Sequence, residues 1–261
     1  MEKFAHKHSF GQNFLKDKNV LMKMIDSVDV KEDDLVIEIG PGQGALTKYL
    51  KLFHCNLVCF EIDTRLKGYL DKFIDDKTNI IFEDIMKVDL NDVLSKYKYN
   101  NLYVIANLPY YITTPIIEKI MDSKLDVKTM LFMVQNEVAD RLCAKPGSKD
   151  YGYISVYLSY YYDVNKVMFV SRKCFDPVPN VDSAVIKLDN KTTECIINEE
   201  VFVKLLKDSF RMKRKNLKNN LSSYNLEIVN KVLGEFGLDL QCRAEQVPVS
   251  CFVMMANELS K

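Results

Sequence analysis

An apolar run in this 261-residue chain stops abruptly at Asn107-Leu108-Pro109-Tyr110. Pro109 pushes Leu108 toward an extended conformation and has no N–H of its own. Carbonyl groups beside it therefore lose their ladder partners and are able to point into a cleft. Acceptors next to an aromatic face suit a planar ligand that carries an amino group. The same tetrapeptide also suits a strand that simply ends in a proline turn, so its surroundings must decide.

The second chemical signal is Gly40-Pro41-Gly42-Gln43-Gly44, which follows the apolar run 35–39 and precedes a helical pattern over 45–50. Strand, glycine turn, helix is the nucleotide-binding beginning of a doubly wound sheet. Glycines let the backbone approach a ligand, and the helix N-terminus offers N–H groups. The spacing is G-x-G-x-G, with Glu38 two residues ahead. Dinucleotide sites use G-x-G-x-x-G, and a P-loop needs a lysine that does not follow here. A turn of this shape suits a nucleoside without a pyrophosphate.

Two acids complete the pattern. Glu61 closes the apolar run 56–60, where a carboxylate can accept both ribose hydroxyls. Asp84 follows the run 79–82 and could accept a hydrogen bond from an adenine amine. Gly40, Glu61, Asp84 and Asn107 thus fall at the carboxyl ends of successive predicted parallel strands. That edge is where open α/β sheets bind ligands.

The elements that must position these residues are legible in outline. Asp17 is expected to cap a helix to about residue 28, and 65–74 reads as an amphipathic helix. Residues 90–97 are expected to be helical, 102–106 a strand, and Thr113 and Thr114 caps for a helix that starts at Pro115. A strand over 128–134 and a helix over 136–143 follow. Six tyrosines in 151–162 leave helix and strand both open. Strands over 166–170 and 183–188 complete the sheet, with Phe175-Asp176-Pro177-Val178-Pro179 as a rigid loop presenting a ring. Residues 1–16 read as an arm that Phe10 and Phe14 staple to the body.

The polar stretch 189–198 marks a boundary, giving domains 1–190 and 191–261, the latter helical. Residues 201–220 hold seven basic side chains against Asp208 alone, in a chain whose 36 basic and 36 acidic residues cancel. Such a local field suits a phosphate backbone. Apolar residues make up 48%, enough for a sizeable core. The polar residues 1–9 do not resemble a secretory signal, and no apolar run reaches membrane length. The seven cysteines include no C-x-x-C pair, so buried thiols in a reducing cytoplasm are expected, and no metal site.

Taken together, the motifs resemble those of the ribosomal RNA adenine N6,N6-dimethyltransferase family, in particular its small-subunit rRNA dimethyltransferases. The resemblance runs nearly end to end. It is carried by His8-Ser9-Phe10-Gly11-Gln12-Asn13-Phe14-Leu15, Glu38-Ile39-Gly40-Pro41-Gly42-Gln43-Gly44, Asn107-Leu108-Pro109-Tyr110 and Phe175-Asp176-Pro177-Val178-Pro179-Asn180-Val181-Asp182-Ser183-Ala184. In the tail, Arg214-Lys215-Asn216-Leu217-Lys218-Asn219-Asn220-Leu221 and Arg243-Ala244-Glu245 are similar to that subfamily's helical domain. Many members have Asn after the tetrapeptide, where this chain has Tyr111. That departure bears on pocket lining and leaves the tetrapeptide intact.

The resemblance implies a Rossmann-like methyltransferase sheet of α/β class, with a small all-helical C-terminal domain and S-adenosyl-L-methionine as donor. It implies that Asn13 and Leu15 cover the donor and that Gly40 and Gly42 admit it. Glu61 would hold the ribose and Asp84 the adenine amine, with Ile62 and Ile85 also in the donor-binding set. Asn107 would lie between donor and acceptor. Asn107, Leu108, Pro109, Tyr110 and Phe175 would form the catalytic set, Tyr110 and Phe175 sandwiching an extruded adenine. Arg211, Lys213, Arg214, Lys215 and Lys218 would grip RNA. The implied partner is small-subunit rRNA in a pre-30S particle, met by a cytoplasmic monomer. Two other readings share the fold: a large-subunit rRNA adenine methylase conferring macrolide resistance, and a non-catalytic RNA- or DNA-binding assembly factor. An NAD-dependent oxidoreductase would need the other glycine spacing.

Overall fold

The computed structural model describes residues 13–191 and 195–261. Expectations for residues 1–12, including the Phe10 staple, lie outside the described residues. The chain divides into two compact units, residues 1–139 with 165–189, and residues 140–164 with 190–261.

The first unit opens with β1 (Phe14–Leu15) and α1 (Lys18–Asp26). The Asp17 carboxylate caps α1 by accepting from the Asn19 and Val20 N–H groups, as its position predicts. Four strands alternate with short helices: β2 (Leu35–Ile39), α2 (Thr47–Leu50), β3 (Asn56–Phe60), α3 (Lys67–Leu70), β4 (Thr78–Ile81), α4 (Leu90–Leu94) and β5 (Leu102–Asn107). Then come α5 (Thr113–Asp122), β6 (Val127–Gln135) and α6 (Asn136–Leu142). After α7 (Tyr153–Tyr161) the chain returns through β7 (Tyr162–Val170), β8 (Phe175–Asp176) and β9 (Ser183–Asn190).

Among the described residues the main sheet has seven strands in the order β4-β3-β2-β5-β6-β9-β7. The β4, β3, β2, β5 and β6 strands run parallel, and β9 is antiparallel to β6. Every residue of β2 is buried, as are the first five of β5. That accounts for their unbroken apolar sequence: a parallel sheet is covered on both faces. The strand order reverses between β2 and β5. Such a switch point leaves a crevice at the carboxyl ends of the strands, and Gly40 and Asn107 are the residues at its two sides.

Several elements depart from expectation. The helix expected over 65–74 is three short pieces, with α3 between single 3-10 turns at Thr64–Leu66 and Asp71–Phe73. The last turn directs the Phe73 ring onto Gly44, which a continuous helix would not reach. Thr113 does not cap α5 but is its first residue, and its hydroxyl donates back to the Pro109 carbonyl at 3.1 Å. Phe175 and Asp176 are not loop: they pair with Leu15 and Phe14 in an antiparallel ladder.

The second unit holds α8 (Glu199–Phe210), α9 (Leu217–Asn220), α10 (Leu226–Glu235) and α11 (Val249–Leu259). The tyrosine-rich stretch resolves as the helix α7 and belongs to this unit, whereas the boundary read from sequence assigns it to the first. The reason is burial on most sides. Tyr160 packs on Phe202 of α8 with ring centroids 5.1 Å apart, and Tyr151 meets Phe210 edge-on at 6.0 Å. An apolar helix of this kind needs partners all round. Among the described residues no helix is long and apolar enough to cross a membrane.

Candidate active site

The crevice at the switch point is a cavity of about 300 Å³ in the first unit. Each strand end contributes to it. Gly40 and Gly42 come from the turn after β2, Glu61 and Ile62 from the end of β3, and Asp84 and Ile85 from beyond β4. Asn107, Leu108, Pro109 and Tyr110 come from the end of β5, and Asn13 and Leu15 from the entry to the unit.

The glycines serve different ends. Gly40 has φ +68°, a conformation that strains any L side chain, and a Cβ there would meet open space. Gly42 also has positive φ, but a Cβ on it would come within 2.8 Å of the Phe14 ring. The bare Gly42 backbone therefore lets Phe14 close over the turn. Gly44 makes room for Phe73, whose ring would lie 2.2 Å from an added Cβ. This third glycine packs the turn against its neighbour and does not itself line the cavity.

Four carboxyl residues line the cavity, Glu38, Glu61, Glu83 and Asp84. Glu61 is 5% exposed. Its carboxylate accepts from the Gly42 N–H at 3.0 Å and the Asp63 N–H at 2.9 Å. Burial raises its pKa, and those two bonds pull the other way. Glu38 is fully buried against the floor. Burial pushes its carboxyl up to about 7, while the Cys59 thiol, donating at 3.5 Å, opposes this. Asp84 accepts from the Met86 N–H at 3.0 Å. An acid-lined cavity with open space over Gly40 fits a cationic, nucleoside-sized ligand.

On the other side of the switch point, hydrogen bonds sort the acceptors. Asn107 donates its amide to the Asn13 carbonyl at 3.4 Å, so the side-chain oxygen faces elsewhere. Leu108 gives its N–H to the Met133 carbonyl at 3.1 Å. The Pro109 carbonyl is taken by the Ile112 N–H and the Thr113 hydroxyl. Among the described residues no donor reaches the Asn107 Oδ1 or the Leu108 carbonyl. Acceptors on two successive residues are thus left open, as the proline predicts. The Tyr110 hydroxyl is fixed to the Ser183 hydroxyl at 2.7 Å, which anchors its ring, and burial raises its pKa.

Phe175 is the predicted site residue that does not join this group. It is 3% exposed and sits in the hydrophobic core with Leu15, Met24 and Val170. It does not line the cavity. The β1–β8 ladder turns the ring inward, so the expected second face for a base is absent in this structure. Sequence reasoning also missed residues that are present. Glu38 was legible only as an acid two places before the first glycine. Tyr111, whose departure from the family pattern was expected to bear on pocket lining, does line the cavity and is 58% exposed.

In the second unit, Arg211, Lys213, Arg214, Lys215 and Lys218 are all exposed. None of them forms an ion pair among the described residues. The bend that presents them is held from beneath by Asn220, 4% exposed, whose amide donates to the Ser209 carbonyl at 2.7 Å and the Met212 carbonyl at 3.3 Å. Among the described residues no cluster of His, Cys, Asp or Glu is placed to hold a metal ion.

Comparison with known proteins agrees with this geometry. Residues 3–261 match the family described as ribosomal RNA adenine dimethylase. A protein of Bacillus cytotoxicus named Ribosomal RNA small subunit methyltransferase A is 42% identical, over 98% of this chain and 92% of its own length. Its namesake from Bacillus mycoides is 41% identical over the same shares. A dimethyladenosine transferase from Plasmodium falciparum superposes with a TM-score of 0.79 at 25% identity, covering 93% of this chain and 95% of its own. The 23S rRNA methyltransferase ErmE shares the fold, with a TM-score of 0.73 at 22% identity over 95% of this chain and all of its own.

Proposed function

This chain belongs to the ribosomal RNA adenine dimethylase family, and we propose that it methylates N6 of two adjacent adenines in small-subunit rRNA, to the dimethyl stage, with S-adenosylmethionine as donor. The observation that carries this reading is the meeting of Gly40, Glu61, Asp84 and Asn107 on one cavity, with two acceptors left open beside them.

The donor fits the residues present. Its positive charge suits a cavity lined by Glu61, Glu83 and Asp84, and Gly40 leaves its approach clear. When bound, it supplies an electrophilic methyl on a sulfonium. Glu61 takes the ribose hydroxyls on the lone pairs that Gly42 and Asp63 leave unused. Asp84 takes the adenine amine, with Ile62 and Ile85 against the ring.

The remaining residues act on the acceptor. An adenine N6 is a poor nucleophile because its lone pair is conjugated with the ring. The Asn107 Oδ1 and the Leu108 carbonyl accept its two N–H groups, which favours a pyramidal nitrogen with its lone pair turned toward the donor. Holding that geometry is equivalent to effective molarities of about 10⁵–10⁸ M. Tyr110 stacks on the extruded base. Such stacking is worth roughly 1–3 kcal/mol, against a few kcal/mol to extrude it. No histidine base is needed: the nitrogen is an acidic ammonium once alkylated and sheds its proton to water. The exposed Arg211, Lys213, Arg214, Lys215 and Lys218 hold the rRNA backbone. We place the acceptor in an assembling small subunit, met by a monomer in the cytoplasm.

The test offers immature small and large subunits separately, with labelled donor, followed by mass spectrometry of the digested rRNA. Dimethyladenosine in the small subunit alone is expected. Label in the large subunit alone would favour the macrolide-resistance reading, and label in neither would favour an assembly factor.

A further inference from the structure

We propose that Tyr111 is a donor-specificity residue, its ring closing, with Ile62, over the purine of the methyl donor. The inference rests on the donor assignment above and extends it to a side chain outside the shared tetrapeptide.

The observations are positional. Tyr110 and Tyr111 are adjacent, yet they are held differently. The Tyr110 hydroxyl is tied to Ser183, which commits that ring to the acceptor side. Tyr111 is 58% exposed, and among the described residues its hydroxyl has no hydrogen-bond partner. It lines the same cavity, together with Ile62, which is 44% exposed at the end of β3. These are the two large apolar side chains of the cavity that are left substantially in water. Exposed apolar surface around a concave site marks a place where a ligand is meant to cover it.

The residues that share the cavity with Tyr111 say which ligand. Its phenol is raised in pKa first by burial and then by the negative charges of Asp84 and Glu61. Tyr111 lines the same cavity as Glu61 and Asp84, the acids assigned to the donor's ribose and adenine. It also stays neutral and able to donate there. A flat ring and the Ile62 side chain, both exposed on the cavity that holds these acids, offer apolar surface for a purine to cover. Phe175, buried in the core, cannot supply such a face.

The experiment measures binding of S-adenosylhomocysteine by calorimetry, without RNA, for the wild type and for Tyr111→Phe, Tyr111→Leu and Tyr111→Asn. Tyr111→Phe keeps the ring and is expected to bind within about twofold of wild type. Tyr111→Asn removes it and is expected to weaken binding about tenfold, or ~1.4 kcal/mol. Tyr111→Leu keeps apolar bulk without a flat face and should fall between. In turnover, the KM for the donor should rise in Tyr111→Asn while the KM for the ribosomal particle holds. Melting curves without ligand should coincide, since the side chain is largely in solvent. Unchanged binding by Tyr111→Asn would overturn the proposal. So would a rise confined to the KM for the particle, which would assign the ring to the acceptor base. A wild-type protein that fails to bind S-adenosylhomocysteine would instead bring down the donor assignment, and this inference with it.

Discussion

At the scale of single residues, the site depends on which polar atoms are already spoken for. Asn107 uses its amide on the Asn13 carbonyl and keeps its oxygen for a ligand. Asn107→Ala removes that oxygen and leaves the strand intact. Methyl transfer should fall at least about a hundredfold, the usual cost of losing one preorganised hydrogen bond at a reacting centre, while the melting temperature and donor binding stay near wild type. Single-turnover assays check this, and wild-type turnover would remove Asn107 from its role. Glu38 makes a different kind of statement. Its carboxyl is pushed up to about 7 in the folded chain, from an ordinary value of 4.5. The folded state then holds a proton that the unfolded state has released. This contribution is fully present below pH 4.5 and is lost as pH rises through 7. Its size is on the order of 3 kcal/mol. Glu38→Gln, neutral at every pH, should flatten the decline in stability across that window in denaturant titrations.

At the scale of elements, the turn after β2 is a packing device as well as a binding one. Gly44 combines φ +82° with a Phe73 ring where a Cβ would go. Gly44→Ala should therefore strain the backbone and overpack the turn, costing about 1–3 kcal/mol in unfolding free energy. Gly68, with ordinary backbone angles and nothing within 4 Å of its added Cβ, is the control. Gly68→Ala should be neutral or mildly stabilising in the same measurement. The short ladder of β1 with β8 matters in a similar way. It fixes Phe14 over Gly42 and turns Phe175 into the core, so one pairing decides two aromatic positions.

At the scale of the molecule, charge is divided unequally between the parts. The chain as a whole carries no net charge, yet the bend after α8 gathers exposed lysines and arginines without acidic partners among the described residues. A double change, Arg214→Ala with Lys215→Ala, should weaken rRNA binding evenly across sequences. On a single strand, the slope of log affinity against log salt should become shallower by about 0.7 for each phosphate that is no longer neutralised. S-adenosylhomocysteine binding should not change, because these residues do not line the donor cavity. An unaltered salt slope would mean that the RNA is held elsewhere.

The amino-acid sequence alone determined what depends on local rules. Buried parallel strands are written as continuous apolar runs, so β2, β3 and β5 could be read. The residues that end them could then be assigned to one edge. The glycine spacing and Asn107-Leu108-Pro109-Tyr110 were legible for the same reason, since turn chemistry is short-range. What no local rule carries was decided by tertiary structure. The tyrosine-rich stretch became a helix because partners from residues 199–261 surround it. Phe175 left the site because β1, far away in sequence, pairs with it. Tyr111 entered the site because the turn after Pro109 brings it to a cavity that the ends of other strands also line, with Glu61 and Asp84 among them. Pairing and burial between distant segments select among conformations that the local chain leaves nearly equal in free energy, and the aromatic side chains of this site were settled at that level.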